Sequence, residues 1–227
     1  MRIITDFDGP IMDLSDRYYH VYQLCLAAVK QPDRPITIFS KSKFWAYKQA
    51  QISEIQLGID SGLTPTQAEA FKEMRDLHAH QLQYLPLDRV VPGSISALEK
   101  IQASGSDLLV MTLRRTCELM PAFDRYNLAR FFPTHHRYCL PDDYVKHDDV
   151  RAKTQLMTAA LGELPPDPDT WTIGDTEADI IAAQTYNIPV IGVLSGIRDR
   201  DRLEQYQPDK IVSNLAEAVD FIFDRSR

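Results

Sequence analysis

From Pro92 onward, short apolar runs alternate with stretches of helical spacing, and few folds accommodate that rhythm. Pro92-Gly93 precedes a helix with apolar Ile95, Leu98 and Ile101, closed by Gly105 at a C-cap position. The spacing then predicts a strand over Leu108–Thr112 and a helix from about Cys117. Strands near Arg137–Leu140 and over Trp171–Ile173 flank a helix over Lys153–Leu161. A helix over Ala178–Tyr186, strands over Val190–Leu194 and Lys210–Val212, and a helix over Leu215–Phe223 complete the series. Strands this short and this apolar are buried on both faces, and helices between them are the crossovers of a parallel sheet.

One further strand lies far upstream. Residues 2–7 are short and β-branched, and Gly9-Pro10 stops the run. Between it and the rest, residues 14–88 read as purely helical. Tyr18, Val21, Tyr22, Cys25, Leu26 and Val29 recur on one helical face until Gln31–Pro35 ends it. A second helix is expected over Ser42–Leu57. A third begins with Thr64 as N-cap and Pro65 at the first position and runs to about Gln83. The expected fold class is therefore α/β: a doubly wound, Rossmann-like parallel core, residues 1–13 and 89–227, with an inserted all-α cap, residues 14–88.

Composition narrows the function classes. Of 227 residues, 44% are hydrophobic and 25% charged, so a sizeable core can be buried. The net charge of −7 argues against nucleic acid and anionic membranes as partners. Three cysteines without CxxC spacing read as reduced thiols, giving a cytoplasmic expectation. The N-terminus shows no signal-peptide pattern, and no apolar run is long enough to span a membrane.

Sites in open parallel sheets form outside the carboxyl ends of the strands. The first strand ends in Asp6-Phe7-Asp8, the second in Thr112, and the strand at Trp171 in Gly174-Asp175. Converging carboxylates repel one another unless a cation neutralises them, and a hard, oxygen-seeking Mg²⁺ suits that role. Lys153, at the start of its helix, adds a positive charge. A magnesium ion, a lysine and a hydroxyl together suit a phosphate group. Asp6 can then attack phosphorus to form an aspartyl-phosphate, while Asp8 protonates the leaving oxygen and later activates water.

At these residues the chain resembles the haloacid dehalogenase superfamily of phosphohydrolases. The motifs in order are DFDGPIMD, LLVMT, the lysine of RAKTQLM, and GDTEAD. The tail IGDTEADIIAAQTYNIPVIGV resembles the phosphoglycolate phosphatase-like branch. The resemblance covers residues 1–13 and about 90–223. It implies catalytic Asp6 and Asp8, phosphate-binding Thr112 and Lys153, and Mg²⁺ held by Asp6, Asp175 and the backbone carbonyl of Asp8. The implied partner is a small phosphorylated substrate. Pro10 stands where a threonine is usual, Lys153 lacks the usual following proline, and Lys146 is the alternative lysine.

Several residues keep two readings. Arg114 and Arg115 could grip a substrate anion or lie solvated. Asp179 could be a simple first-turn helix acid. His135-His136 looks like a metal pair, but neighbours on a strand point to opposite faces. A phosphomutase, or a non-catalytic regulatory protein on the same scaffold, is the alternative function. The motifs name neither the substrate nor the number of chains in the assembly.

Overall fold

A computed structural model describes residues 1–31, 35–145 and 148–225. Lys146 lies outside these residues, as do Pro32, Asp33 and Arg34 of the expected helix stop. The chain divides into two compact units, Met1–Asp13 with Val90–Arg227, and Leu14–Arg89. Among the described residues, no helix is long and apolar enough to cross a membrane.

The chain opens on β1 (Arg2–Thr5) and passes β2 (Met12–Asp13) into the helical unit. There it forms α1 (Ser15–Val29), α2 (Lys41–Gln49), α3 (Glu54–Asp60) and α4 (Pro65–His78). The stripe predicted for α1 buries Val21, Tyr22, Cys25 and Leu26. They join Phe44, Leu57, Ala68 and Phe71 from the other three helices in one core. Tyr22 stacks on Phe44 at 4.8 Å, and its hydroxyl meets the Ser61 hydroxyl at 2.9 Å. Burial pushes the Cys25 thiol up to about 11, so it is a packing group.

One helix expected over Ser42–Leu57 is two. Gln51 takes φ +54, and Ser53 then caps α3 by accepting from the Gln56 amide at 3.1 Å. The Thr64 cap is a full capping box with Gln67. Its helix ends at His78, short of Gln83, and a 3-10 turn over Leu82–Leu87 replaces the missing end.

The chain returns through β3 (Arg89–Val90) to α5 (Ser94–Ala103), β4 (Asp107–Arg115), α6 (Thr116–Tyr126) and β5 (Arg137–Leu140). Then follow α7 (Asp149–Glu163), β6 (Thr170–Gly174), α8 (Glu177–Thr185) and β7 (Val190–Val193). The last elements are α9 (Arg200–Glu204), β8 (Lys210–Val212) and α10 (Leu215–Arg225). The sheet is six-stranded and parallel, in the order β5-β4-β1-β6-β7-β8. The α/β expectation therefore holds.

Thr5 is level with Val110 of β4 and Ile173 of β6, so β1 sits centrally with its carboxyl end between theirs. Ile4, Leu109 and Met111 pack against Met157 of α7 and Ala182 of α8. Ile3, also fully buried, faces the opposite side by strand alternation. Helix α7 begins four residues before Lys153, because Asp148 caps it by accepting from the Arg151 amide at 3.0 Å. His135 and His136 lie in a 3-10 turn rather than on a strand. His136 is occupied by Asp107 at 3.3 Å and by the Leu108 carbonyl at 3.1 Å.

Candidate active site

The Asp6 amide donates to the Ile173 carbonyl at 2.8 Å, carrying the β1–β6 pairing one residue past the strand end. This fixes the backbone from which the Asp6 carboxylate projects. Asp6 Oδ1 accepts from the Phe7 amide at 2.6 Å and meets Lys153 Nζ at 3.0 Å. On the neighbouring strand end, β6 delivers Asp175. One helical turn further, Asp179 completes a capping box for α8. Its Oδ2 accepts from the Thr176 hydroxyl at 2.8 Å and the Thr176 amide at 3.1 Å. Its Oδ1 lies 2.8 Å from Lys153 Nζ.

Lys153 is the hub. Its ammonium has three protons, and it meets Asp6, Asp179 and the Met111 carbonyl, the last at 2.8 Å. Asp6, Asp175 and Asp179 each place a carboxylate oxygen within 4.8 Å of the others, and all three are buried.

Asp6 and Asp179 share one ammonium and Asp175 lies beside them, so with all three ionised the cluster would carry two more negative charges than Lys153 balances in a low-dielectric setting. Burial pushes Asp175 up to about 7, with Asp179 adding to the rise and the Ile197 amide and Arg198 opposing it. Burial also raises Asp6 well above the usual carboxylate range, against the pull of Lys153. Burial opposes the charge on Lys153, but Asp179 and Asp6 outweigh it and hold the ammonium protonated. The missing charge matches one divalent cation, and an all-oxygen donor set matches a hard one such as Mg²⁺.

The space around Asp175 is made by absent side chains. Gly9 takes φ +90, and a Cβ there would run into the Asp175 carboxylate. A Cβ on Gly196 would strike the same group. The loop carrying Gly196 is tied down on both sides. The Ile197 amide donates to Asp175 Oδ2 at 2.7 Å, and the Ser195 hydroxyl donates to the Gly9 carbonyl at 2.8 Å. Arg198 grips Glu177 with two bonds of 2.8 Å.

Asp8 stands apart from the three buried acids. Its carboxylate is held by Arg114, with Nη2 at 2.6 Å and Nε at 3.0 Å from each oxygen. Thr112 is buried on β4, and its hydroxyl accepts from the Arg114 amide at 3.1 Å. Arg115 turns to Glu118, with Nη2 on Oε1 at 2.7 Å.

Of the residues expected from sequence, the structure thus gathers Asp6, Lys153 and Asp175. It adds Asp179, which caps a helix and pairs with the lysine at once. It places the Asp8 side chain on an arginine rather than among the buried acids. Sequence reasoning missed the Ser195–Arg198 loop. Its signal was Gly196, three residues beyond the strand ending at Val193, much as Gly9 lies four residues beyond β1.

Residues 151–218 match the sequence profile of the HAD-hydrolase-like family. That stretch contains Lys153, Asp175, Asp179 and the Ser195–Arg198 loop. That stretch resembles a HAD-like hydrolase domain. Over 137 residues it is 26% identical to a phosphoglycolate phosphatase of Agrobacterium fabrum, covering 60% of this chain and 56% of that protein. It is 22% identical over 133 residues to pyrophosphatase PpaX of Oceanobacillus iheyensis, covering 59% and 60%. The matches thus span less than two thirds of these relatives' length. A haloacid dehalogenase-like hydrolase of Streptococcus pneumoniae superposes with a TM-score of 0.68 at 18% identity, over 97% of each chain. That likeness speaks to the fold alone.

Proposed function

We propose that this protein is a Mg²⁺-dependent phosphatase, a phosphoric monoester hydrolase acting on a small phosphorylated metabolite through Asp6. The carrying observation is the Lys153 hub. It binds Asp6 and Asp179 with Asp175 beside them, an excess of two negative charges once all three are ionised. The relatives' names, one a phosphoglycolate phosphatase and one a pyrophosphatase, support the same reaction class.

In the proposed reaction, an Asp6 carboxylate oxygen attacks phosphorus, and the bond from phosphorus to the leaving oxygen breaks. Asp8 gives its proton to that oxygen. A water then attacks the aspartyl-phosphate and gives a proton to Asp8, the Asp6–phosphorus link breaks, and inorganic phosphate leaves. Lys153 fixes the Asp6 carboxylate and its charge favours the incoming phosphate oxygens; the Thr112 hydroxyl is the second phosphate contact. Asp6, Asp175 and the Asp8 backbone carbonyl would hold the Mg²⁺, with Asp179 beside them. The ion would supply charge neutralisation for a phosphate oxygen.

Residues 14–88 are proposed as the cap that selects the substrate. The helical unit has its own core and begins at Leu14, with four residues between it and the DFDG segment. A cytoplasmic setting suits the three thiols, none of which is in a disulfide. The test is a phosphate-release screen over phosphorylated metabolites with Mg²⁺ and with excess chelator. Release that needs Mg²⁺ and disappears in Asp6→Asn supports the proposal. Release that is undiminished by chelator contradicts it.

A further inference from the structure

We infer that Arg114 is the positioning residue for Asp8, clamping its part-exposed carboxylate so that proton transfer proceeds from a fixed geometry. This rests on the phosphatase reading above and extends it to a residue that the four motifs leave without a role.

The clamp is two-pronged. Nη2 meets Asp8 Oδ1 at 2.6 Å and Nε meets both oxygens at 3.0 Å, which fixes direction as well as distance. The guanidinium is held in turn. Nη1 donates to the Glu118 carbonyl at 3.2 Å, and the guanidinium carbon lies 5.0 Å from the centroid of the Phe7 ring. Phe7 is fully buried and packs on Phe123 of α6 at 5.8 Å. Phe7, the residue between Asp6 and Asp8, thus also anchors the side of the guanidinium.

Exposure separates this pair from a purely structural one. The Arg114 side chain is 5% exposed, whereas Asp8 is 26% exposed. The arginine grips from the protein side and leaves the carboxylate reachable. In a structural pair such as Arg17–Asp88 both partners are 1% exposed. The same geometry argues against Arg114 as a grip for substrate anions, because its guanidinium is turned onto Asp8 and the Glu118 carbonyl. A lysine could supply the charge but not the fork. Arg114 also follows Thr112 by two residues on β4, and its amide donates to the Thr112 hydroxyl. One short segment thereby orients both the phosphate-side hydroxyl and the proton-handling acid.

The test is a double-mutant cycle on the full chain. Arg114→Lys, Asp8→Asn and the combined variant are assayed with Mg²⁺ on aryl phosphates of good and poor leaving groups. Thermal unfolding checks the fold, and Arg114→Gln serves as a second variant. Small misplacements of a catalytic group cost up to about 10²-fold in rate. Arg114→Lys is expected to lower kcat by about that factor with KM little changed, more on the poor leaving group. Asp8→Asn with Arg114→Lys should be no slower than Asp8→Asn alone, because both losses act through one carboxylate. Losses that multiply, a rise in KM at constant kcat, or wild-type kcat in both folded variants would overturn the inference. Failure of the phosphatase reading itself would show differently, as Asp6→Asn turning over like wild type.

Discussion

In the helical unit, Arg17 and Asp88 meet one to one at 2.8 Å, each 1% exposed. In the α/β unit, Lys153 is also buried but meets two carboxylates, Asp6 and Asp179, with a third, Asp175, beside them. Arg17 also donates to the Ala79 carbonyl, so its charge is answered within the helical unit. The pair ties the start of α1 to the last residues before Arg89, the two ends of the inserted segment. Fully ionised, the Lys153 cluster would be two charges short, and burial holds Asp6 and Asp175 well above their ordinary range. A balanced buried pair is a structural joint; an unbalanced one is a place for something else to bind.

The largest separation between the two should come from paired amide substitutions. Asp6→Asn is expected to abolish phosphate release, by more than ~10³-fold, while leaving the unfolding midpoint unchanged or higher. It removes a charge the fold would sooner lose. A folded Asp6→Asn retaining substantial turnover would reassign the nucleophile. Asp88→Asn should do the reverse. It leaves Arg17 buried without its counter-charge, at a cost of about 3–5 kcal/mol in denaturant unfolding. Full stability in Asp88→Asn would show that the joint is dispensable.

How far was this contrast legible in the sequence? The sheet was, because short β-branched runs such as Arg2–Thr5 and Val190–Val193 bury both faces and leave little choice of partner. Asp6, Asp175 and Lys153 were legible from their places at strand ends and a helix start. The second role of Asp179 was not. Thr176 and Asp179 announce a cap locally, but the lysine that Asp179 meets comes from α7, and only the packing of α7 on α8 joins them. Arg114 was ambiguous for the same reason. A basic residue past a strand end suits an anion from outside as well as Asp8 from inside. The break between α2 and α3 was missed because the left-handed Gln51 carries no glycine or proline signal.

pH offers a way to sharpen the comparison. Burial first, and Asp179 next, lift Asp175 from 3.8 to about 7. Between those values the folded protein keeps a proton that the unfolded chain has released. This stabilisation is fully present below pH ~4 and is lost as pH rises through ~7. Metal-free protein should therefore lose stability across that range, read as a falling denaturant midpoint. A flat or rising midpoint would show that Asp175 stays ionised without a cation.

The smallest effects should come from the two capping boxes. Thr64→Ala in the helical unit and Thr176→Ala in the α/β unit should each cost about 1 kcal/mol. Only Thr176→Ala should also slow phosphate release, since its hydroxyl steadies the Asp179 that holds Lys153. Equal activity in the two variants would separate the cap from the site.

The most direct measurement is thermal unfolding at pH 8 with increasing Mg²⁺, on wild type and on Asp175→Asn. If the buried acids await a divalent cation, the wild-type midpoint climbs with Mg²⁺ by mass action, while that of Asp175→Asn rises far less. A wild-type midpoint that ignores Mg²⁺, or an equal rise in both proteins, would contradict the assignment of the unbalanced cluster as a metal site.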